Sequence, residues 1–533
     1  MNRSAYDVCI VGAGVAGALI AYELAKQGVK VIMFDAGPRY KPVERYKRMQ
    51  RYLRGENPWK SNNPARDVFT STGDWEYPLG GTRIKAVGGS THHWGGAVFR
   101  HHESDFKMKS LYGIAEDWPI SYSDLEPYYA KAERELGVAG SGDDPFASSY
   151  RSTDYPLPAF PFSYADKKVI KPACDTLGIR LHPVSYARNS IPYQNRPACQ
   201  AFGVCSVCPI EAMYNADVHV RMAEQVGGIH LLPDTSVLRF NLDSARRIKS
   251  VSYAGIDKVV HEMKSGVFVL SSHAVESVRL LLLSKSEYYP NGLANHHGLV
   301  GRYFMEHLGT GMSGEVKEKL YPHRIGFYTA QSLQFYNTPQ RDRIGAIQFG
   351  FASGGLTTSR IASQSSKWGL ALKREIRESF GRVIGIAAIV EQLPSEDNWI
   401  SLDDTVRDYF GNPAPQVHLS VGEYERRTLK QARSIILKIL RAMEAKIDFK
   451  EYLKHYMNRF HPVAHHMGGC RMGNDSQKSV VDRNLKAHGV DNLFIVGSSV
   501  FVTGGAANPT LTIAALSLRA AEHILKALRA GHL

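Results

Sequence analysis

The densest gathering of chemically capable side chains lies between residues 461 and 512. Three histidines, His461, His465 and His466, fall beside the glycines of HHMGGCRMG, and the later run GGAANPTLT carries Asn508. A neutral imidazole can take a proton, and a side-chain amide can hold the oxygen that the proton leaves. Runs this rich in Gly, His and Asn bury little apolar surface, and glycine turns between periodic segments bring backbone close to a ligand. The two loops flank the strand-like run 493–496, with Gly497 directly after it, and are expected to form one wall of an active site.

A second set opens the chain. VGAGVAG supplies Gly12, Gly14 and Gly17 as G-x-G-x-x-G between a strand at 6–11 and a helix at 18–27, and the next strand, VKVIMFD, ends at Asp35. In that setting the glycines allow a tight turn and close approach of a pyrophosphate to the helix start, while the acid takes a ribose hydroxyl. Dinucleotide binding is expected, and a glycine turn without a ligand is the competing reading. The motif alone does not separate FAD from NAD. The stretch 80–99, GGTRIKAVGGSTHHWGGAVF, points to FAD: Gly88, Gly89 and Ser90 lead into His92, His93 and Trp94 between two glycine pairs, as in a loop wrapped on a flat ligand. A third set is Cys199-x5-Cys205-x2-Cys208-Pro209. Three thiolates closed by a proline suit an iron–sulfur cluster, three-iron or four-iron with one other ligand. Zinc, which usually takes four ligands, and a disulfide, which would strand one thiol, are the alternatives. Cys9, Cys174 and Cys470 lie apart and read as small buried residues.

Holding three such sets takes a large scaffold. The 533 residues suggest two or three domains, and 44% hydrophobic with 22% charged residues is ordinary for a soluble protein. No apolar run approaches the roughly 18 residues of a transmembrane helix. The N-terminal residues enter a strand without an export signal of their own, so cytoplasm, or export as passenger on a signal-bearing partner, is expected. Basic residues exceed acidic ones, 65 to 51, but they are scattered. DNA or RNA binding is therefore rejected, and an acidic partner or anionic membrane surface stays open.

The pattern of elements is α/β. Strand, helix and strand at the start are joined by a buried strand and apolar helix in VFVLSSHAVESVRLLLLS, by the strand at 493–496, and by a helix at 509–527 whose N-terminus points its amides at a cofactor. A plain scaffold helix is expected at 123–136. Residues 311–455 mix strand-like runs (IGAIQFGF, RVIGIAAIVEQL, APQVHLSV) with basic helices at 367–380 and 423–446. The expected architecture is a discontinuous Rossmann-like FAD-binding domain over 1–155, 226–310 and 456–533. An insertion at 156–225 carries the cysteines, and a sheet-based α+β substrate domain spans 311–455.

Assembled, these stretches resemble the glucose–methanol–choline (GMC) family of flavin oxidoreductases over nearly the whole chain. VGAGVAG, AVGGSTHHW, HAVESVRLLLLS, VGRYFMEH and the tail HHMGGCRMG…GGAANPTLT carry the resemblance. It implies FAD, substrate bound under the sheet-based domain, and hydride transfer beside a His paired with His or Asn, positions held here by His465 and Asn508. His465 would then take the hydroxyl proton while hydride passes to flavin N5. In some relatives the histidine before the tryptophan is bonded to the flavin, and His93 holds that position; others keep FAD without a bond. The stretch ARNSIPYQNRPAC…CPIEAMYN is similar to the large subunits of bacterial FAD sugar dehydrogenases. In those, three cysteines hold a 3Fe–4S cluster that passes electrons to a cytochrome subunit, and a small partner subunit bears the export signal. Their last two cysteines have three residues between them, where this chain has two. The resemblance implies a sugar or glycoside substrate and a periplasmic site, or the periplasmic face of the inner membrane, with cytoplasm the alternative. A GMC-type oxidase making H2O2 and a noncatalytic electron-transfer flavoprotein are the competing functions.

Overall fold

The structure, a computed structural model, describes residues 5–531 apart from 60–63, 75, 147–149, 203–204, 245, 323–324, 327, 354–357, 448–452 and 454–459. Two sheets organise it. The first is wholly parallel and five-stranded, in the spatial order Leu493–Ile495, Val267–Leu270, Val8–Val11, Val31–Phe34, Ile229–Leu232. Its three central strands are buried at every position. A parallel sheet is covered on both faces, so its strands read as unbroken apolar runs instead of alternating ones.

On one face, helix Val15–Ala25 packs between Asp217–Val226 and Thr510–Arg529, and the last of these also packs on Tyr122–Leu136. Helix Ala274–Leu283 leans instead on strands Ser236–Ser244 and Trp399–Arg407. Several boundaries move from their expected places. The first helix starts at Val15, with Gly14 as its N-cap, so the glycine turn is the helix N-terminus itself. Ser121 and Asp124 form a capping box that opens Tyr122–Leu136 one residue early. The helix expected over 423–446 ends at Ala442, since Glu444 takes a left-handed φ of 52°. No helix among the described residues is long and apolar enough to cross a membrane.

The second sheet is six-stranded, in the order His461–Pro462, Leu308–Glu315, Val383–Val390, Ile347–Ser353, Tyr328–Ser332, His182–Pro183. Its pairs are antiparallel, and its residues alternate faces. Ile384, Ile386, Ala388 and Val390 share a core with Leu429, Ile435, Ile436 and Leu440 of helix Glu423–Ala442. The helix spacing of three and four presents one apolar stripe to one face of that sheet. The opposite face carries small and polar residues, among them Gly309, Gly350 and Gln348, and Gln348 reaches from it to the Asn508 loop. Residues 165–183 pack with this second core: Ile170, Ala173 and Cys174 lie in it, and His182–Pro183 is the edge strand.

The two halves meet through buried charge. Arg341, with no exposed surface, holds Asp105 at 2.7 Å and both carboxylate oxygens of Glu391 at 2.9 and 3.0 Å. Tyr336 donates its hydroxyl to Asp105 (2.8 Å) and accepts the Ala506 and Ala507 N–H groups (3.1 and 3.2 Å). The loop that ends in Asn508 is thereby tied to both halves.

Candidate active site

At the C-terminal ends of the parallel strands lies a cavity of about 470 Å³, the place where open α/β sheets bind ligands. Gly12, Gly14, Asp35, Gly88, Gly89, Ser90, His93, Gly497, His465 and Asn508 all line it. Gly17 does not; it lies below the turn, where a Cβ would stand 2.0 Å from the Gly12 carbonyl oxygen. Gly12 has φ 107°, and a Cβ there would come within 2.8 Å of the Ser271 carbonyl oxygen, so both positions exclude a side chain for packing reasons. Gly14 is different: no protein atom lies within 4 Å of a Cβ built on it. Its missing side chain leaves open space at a helix N-terminus, the form a phosphate cradle takes. Asp35 accepts the Ala13 and Gly37 N–H groups (3.0 and 2.9 Å), and burial lifts its carboxyl to about 6 despite those bonds. The residues fit the dinucleotide FAD: a glycine cradle, a buried acid at the second strand's end, and a long cavity continuing to the histidines.

Of the paired histidines after Ser90, only His93 reaches the cavity. His92 is turned inward, bonded to the Val87 carbonyl (2.7 Å) and the Asn215 amide (3.0 Å).

His465 and Asn508 come together from the two C-terminal loops, with Asn508 Nδ2 3.1 Å from His465 Nε2. The other His465 nitrogen, Nδ1, lies 2.9 Å from His307 Nδ1, and His307 Nε2 is 3.3 Å from the Gly504 carbonyl. Glu306 accepts the His465 N–H at 2.6 Å. Burial holds the His465 imidazole well below its ordinary pKa, helped by His307 and His466, so its basic form predominates at neutral pH. Of the rival histidines, His466 also lines the cavity but has both ring nitrogens engaged, and His461 does not line it. His466 bonds His273 (2.8 Å) and Thr82 (3.1 Å), and the His461 ring lies over Gly309. Gln348 reaches from the second sheet to within 3.5 Å of Asn508. Glu306, His307 and Gln348 had no role assigned from sequence. The first two stand in VGRYFMEH, but the histidine they serve is 159 and 158 residues away, and Gln348 sits in an unremarkable strand.

Cys199, Cys205 and Cys208 line a second cavity, of about 20 Å³. None of the three is paired in a disulfide, so the disulfide alternative is not realised. Each sulfur faces an N–H donor: Ala201 for Cys199 (3.4 Å), Arg188 for Cys205 (3.9 Å) and Met213 for Cys208 (3.5 Å). Among the described residues, no group of three His, Cys, Asp or Glu is spaced to hold a metal ion. The two cavities share a wall. Met213 of the second packs against Gly96 of the first, where a Cβ would fall 2.0 Å from its sulfur, and Trp94 donates to the Tyr214 carbonyl (2.9 Å).

Known proteins resemble this chain over nearly its whole length. Residues 394–517 match the GMC oxidoreductase model and residues 7–42 that of FAD dependent oxidoreductases. The chain is 34% identical over 546 residues to the fructose dehydrogenase large subunit of Gluconobacter japonicus, covering 98% of each. It is 28% identical to the 2-methyl-1,2-propanediol dehydrogenase of Mycolicibacterium austroafricanum, covering 97% of this chain and 95% of that one. The solved formate oxidase of Aspergillus oryzae shares the fold at TM-score 0.70 and 15% identity, covering 100% of both chains. From the flavin cradle to the paired histidine and asparagine, this chain belongs to the GMC oxidoreductase family of FAD-dependent enzymes.

Proposed function

We propose that the protein is a dehydrogenase that oxidises a hydroxyl carbon of a sugar or glycoside. The observation that carries this reading is the pair His465 Nε2 and Asn508 Nδ2, 3.1 Å apart on the cavity wall. Bound FAD supplies the acceptor for the hydride that leaves the carbon. His465, neutral because it is buried, takes the hydroxyl proton. The Asn508 amide donates to the same oxygen and fixes which hydroxyl faces the base, while Gln348 Nε2, 3.5 Å from Asn508 Oδ1, helps set which way that amide faces. A general base contributes about 10²–10⁴-fold. Anaerobic mixing with D-fructose, D-glucose, D-gluconate and a methyl glucoside is expected to bleach the flavin with at least one. His465→Ala should slow that bleaching about 10²–10⁴-fold with FAD still bound; bleaching at the wild-type rate would sink the assignment.

We further read Cys199, Cys205 and Cys208 as the holders of an iron–sulfur cluster, with electrons leaving for a cytochrome partner instead of O2. Three N–H-bonded sulfurs on one small cavity, sharing a wall with the flavin pocket, support it, as does similarity to a protein named a large subunit. Protein purified without air should contain iron and acid-labile sulfide and give an oxidised three-iron EPR signal that Cys205→Ser removes. Iron-free protein that makes peroxide would favour the oxidase. Export on a small signal-bearing subunit belongs to the same reading. His93 is assigned to the flavin: colour that stays with acid-precipitated protein, and is released in His93→Ala, would mark a covalent bond.

A further inference from the structure

The hydrogen bonds behind His465 determine where its proton sits. The Gly504 carbonyl can only accept, so His307 Nε2 carries the hydrogen between them. A neutral His307 then has a bare Nδ1. The hydrogen between the two Nδ1 atoms, 2.9 Å apart, therefore belongs to His465. Neutral His465 is left with a bare Nε2, which accepts from the Asn508 amide in the absence of substrate. One backbone carbonyl, acting through one imidazole, aims a lone pair into the cavity.

We infer that His307 is a positioning residue with two roles. It holds His465 in the Nδ1–H tautomer, and it receives that Nδ1 proton when the substrate's hydroxyl proton arrives at Nε2. The inference deepens the hydroxyl-oxidising role proposed above and rests on it for the second role only. In balance, the substrate O–H bond breaks and its proton bonds to His465 Nε2. The His465 Nδ1–H bond breaks and that proton bonds to His307 Nδ1. The carbon's two electrons leave with its hydride to the FAD oxidant. His465 ends neutral and the positive charge rests one ring deeper, away from the electron-poor carbon.

The surroundings of His307 suit that charge better than those of His465. His307 faces the carbonyls of Gly504 and Gly505 and the carboxylate of Asp105, with His101 opposing; Glu306 accepts the backbone N–H groups of both residues and does not distinguish the rings. His465 faces only the imidazoles of His307 and His466 among charged or titrating neighbours that shift it. Burial lowers both rings, His307 to about 4 and His465 well below its ordinary value.

Two variants separate the roles. In His307→Asn, Oδ1 can still accept from His465 Nδ1–H but cannot hold a proton; His307→Leu can do neither. With whichever sugar bleaches the flavin fastest, His307→Leu is expected to slow flavin reduction at least about 100-fold with KM unchanged. His307→Asn should recover all but about tenfold. The rate in mixtures of H2O and D2O should curve for the wild type, with two protons in motion, and run straight for His307→Asn. A wild-type rate and pH profile in His307→Leu would overturn the inference. So would equal losses in both variants accompanied by raised KM, the mark of a merely structural role. The tautomer is read independently of any substrate. In holoenzyme with nitrogen-15 histidine, the signal lost in His465→Ala should show Nδ1 protonated and Nε2 bare, and His307→Leu should disturb it. An Nε2–H signal in the wild type refutes the inference even if no substrate has been found.

Discussion

Glu306 sits behind the candidate base with no surface exposed. It accepts the His465 and His307 N–H groups and the Tyr77 hydroxyl. His466 Nε2 lies 3.8 Å from the Glu306 carboxylate, and burial keeps that imidazole well below its ordinary pKa. Burial lifts the Glu306 carboxyl from its ordinary 4.5 to about 7. The folded state thus binds more protons than the unfolded chain between those values, and this group's contribution to stability falls as pH rises from about 4.5 to about 7. Glu306→Gln, neutral at every pH, should flatten that slope. Melting temperatures at pH 5 and pH 8 should differ less in the variant than in the wild type, and equal differences would refute the assignment. His465 and Asn508 were legible as a pair only through the family resemblance, which matches them in HHMGGC and AANPTLT; the glycine-rich runs by themselves marked the two loops. Glu306 was not legible, because a carboxyl's partner 159 residues away leaves no mark on its neighbours.

The glycine turn and its helix show what an element reports locally. Gly12 and Gly14 belong to one motif yet do different jobs, so they predict different failures. Gly12→Ala places a methyl against Ser271 backbone at a left-handed φ, a strain of about 1–3 kcal/mol, and should lower the melting temperature of the protein freed of FAD. Gly14→Ala meets no protein atom and has φ −76°. It should leave that melting temperature alone while lowering the ratio of flavin to protein absorbance on purification, because its methyl occupies the ligand's space. An unchanged ratio would remove the cradle from the cofactor site. Strands such as Val8–Val11 and Val267–Leu270 were readable from their unbroken apolar runs. Helix ends were not, since they turn on single caps such as Ser121 and on one backbone angle at Glu444. The cysteine spacing was equally plain, but not Arg188 beside Cys205, which only the folded loop brings near.

At the scale of the molecule, the two sheets are joined through Asp105, Arg341 and Glu391, all without exposed surface. A buried pair is costly to break because it leaves an unpaired charge, about 3–5 kcal/mol. Arg341→Met should therefore lower unfolding free energy by that order in a denaturant titration. Because Tyr336 ties Asp105 to Ala506 and Ala507, it should also slow flavin reduction. A loss of stability without any change in that rate would uncouple the network from the Asn508 loop.

The strand order has a consequence for how the protein is made. The neighbour of Val267–Leu270 on its outer side is Leu493–Ile495, and Asn508 comes later still. At roughly 5–20 residues per second, Val8–Val11 and Val31–Phe34 leave the ribosome some tens of seconds before the strand that completes their sheet. For that interval the FAD cradle exists without its far wall, and strands meant to be covered on both faces wait with an open edge. A holdase, or early capture of the adenine end of the cofactor, has its opportunity there, before any substrate could be turned over.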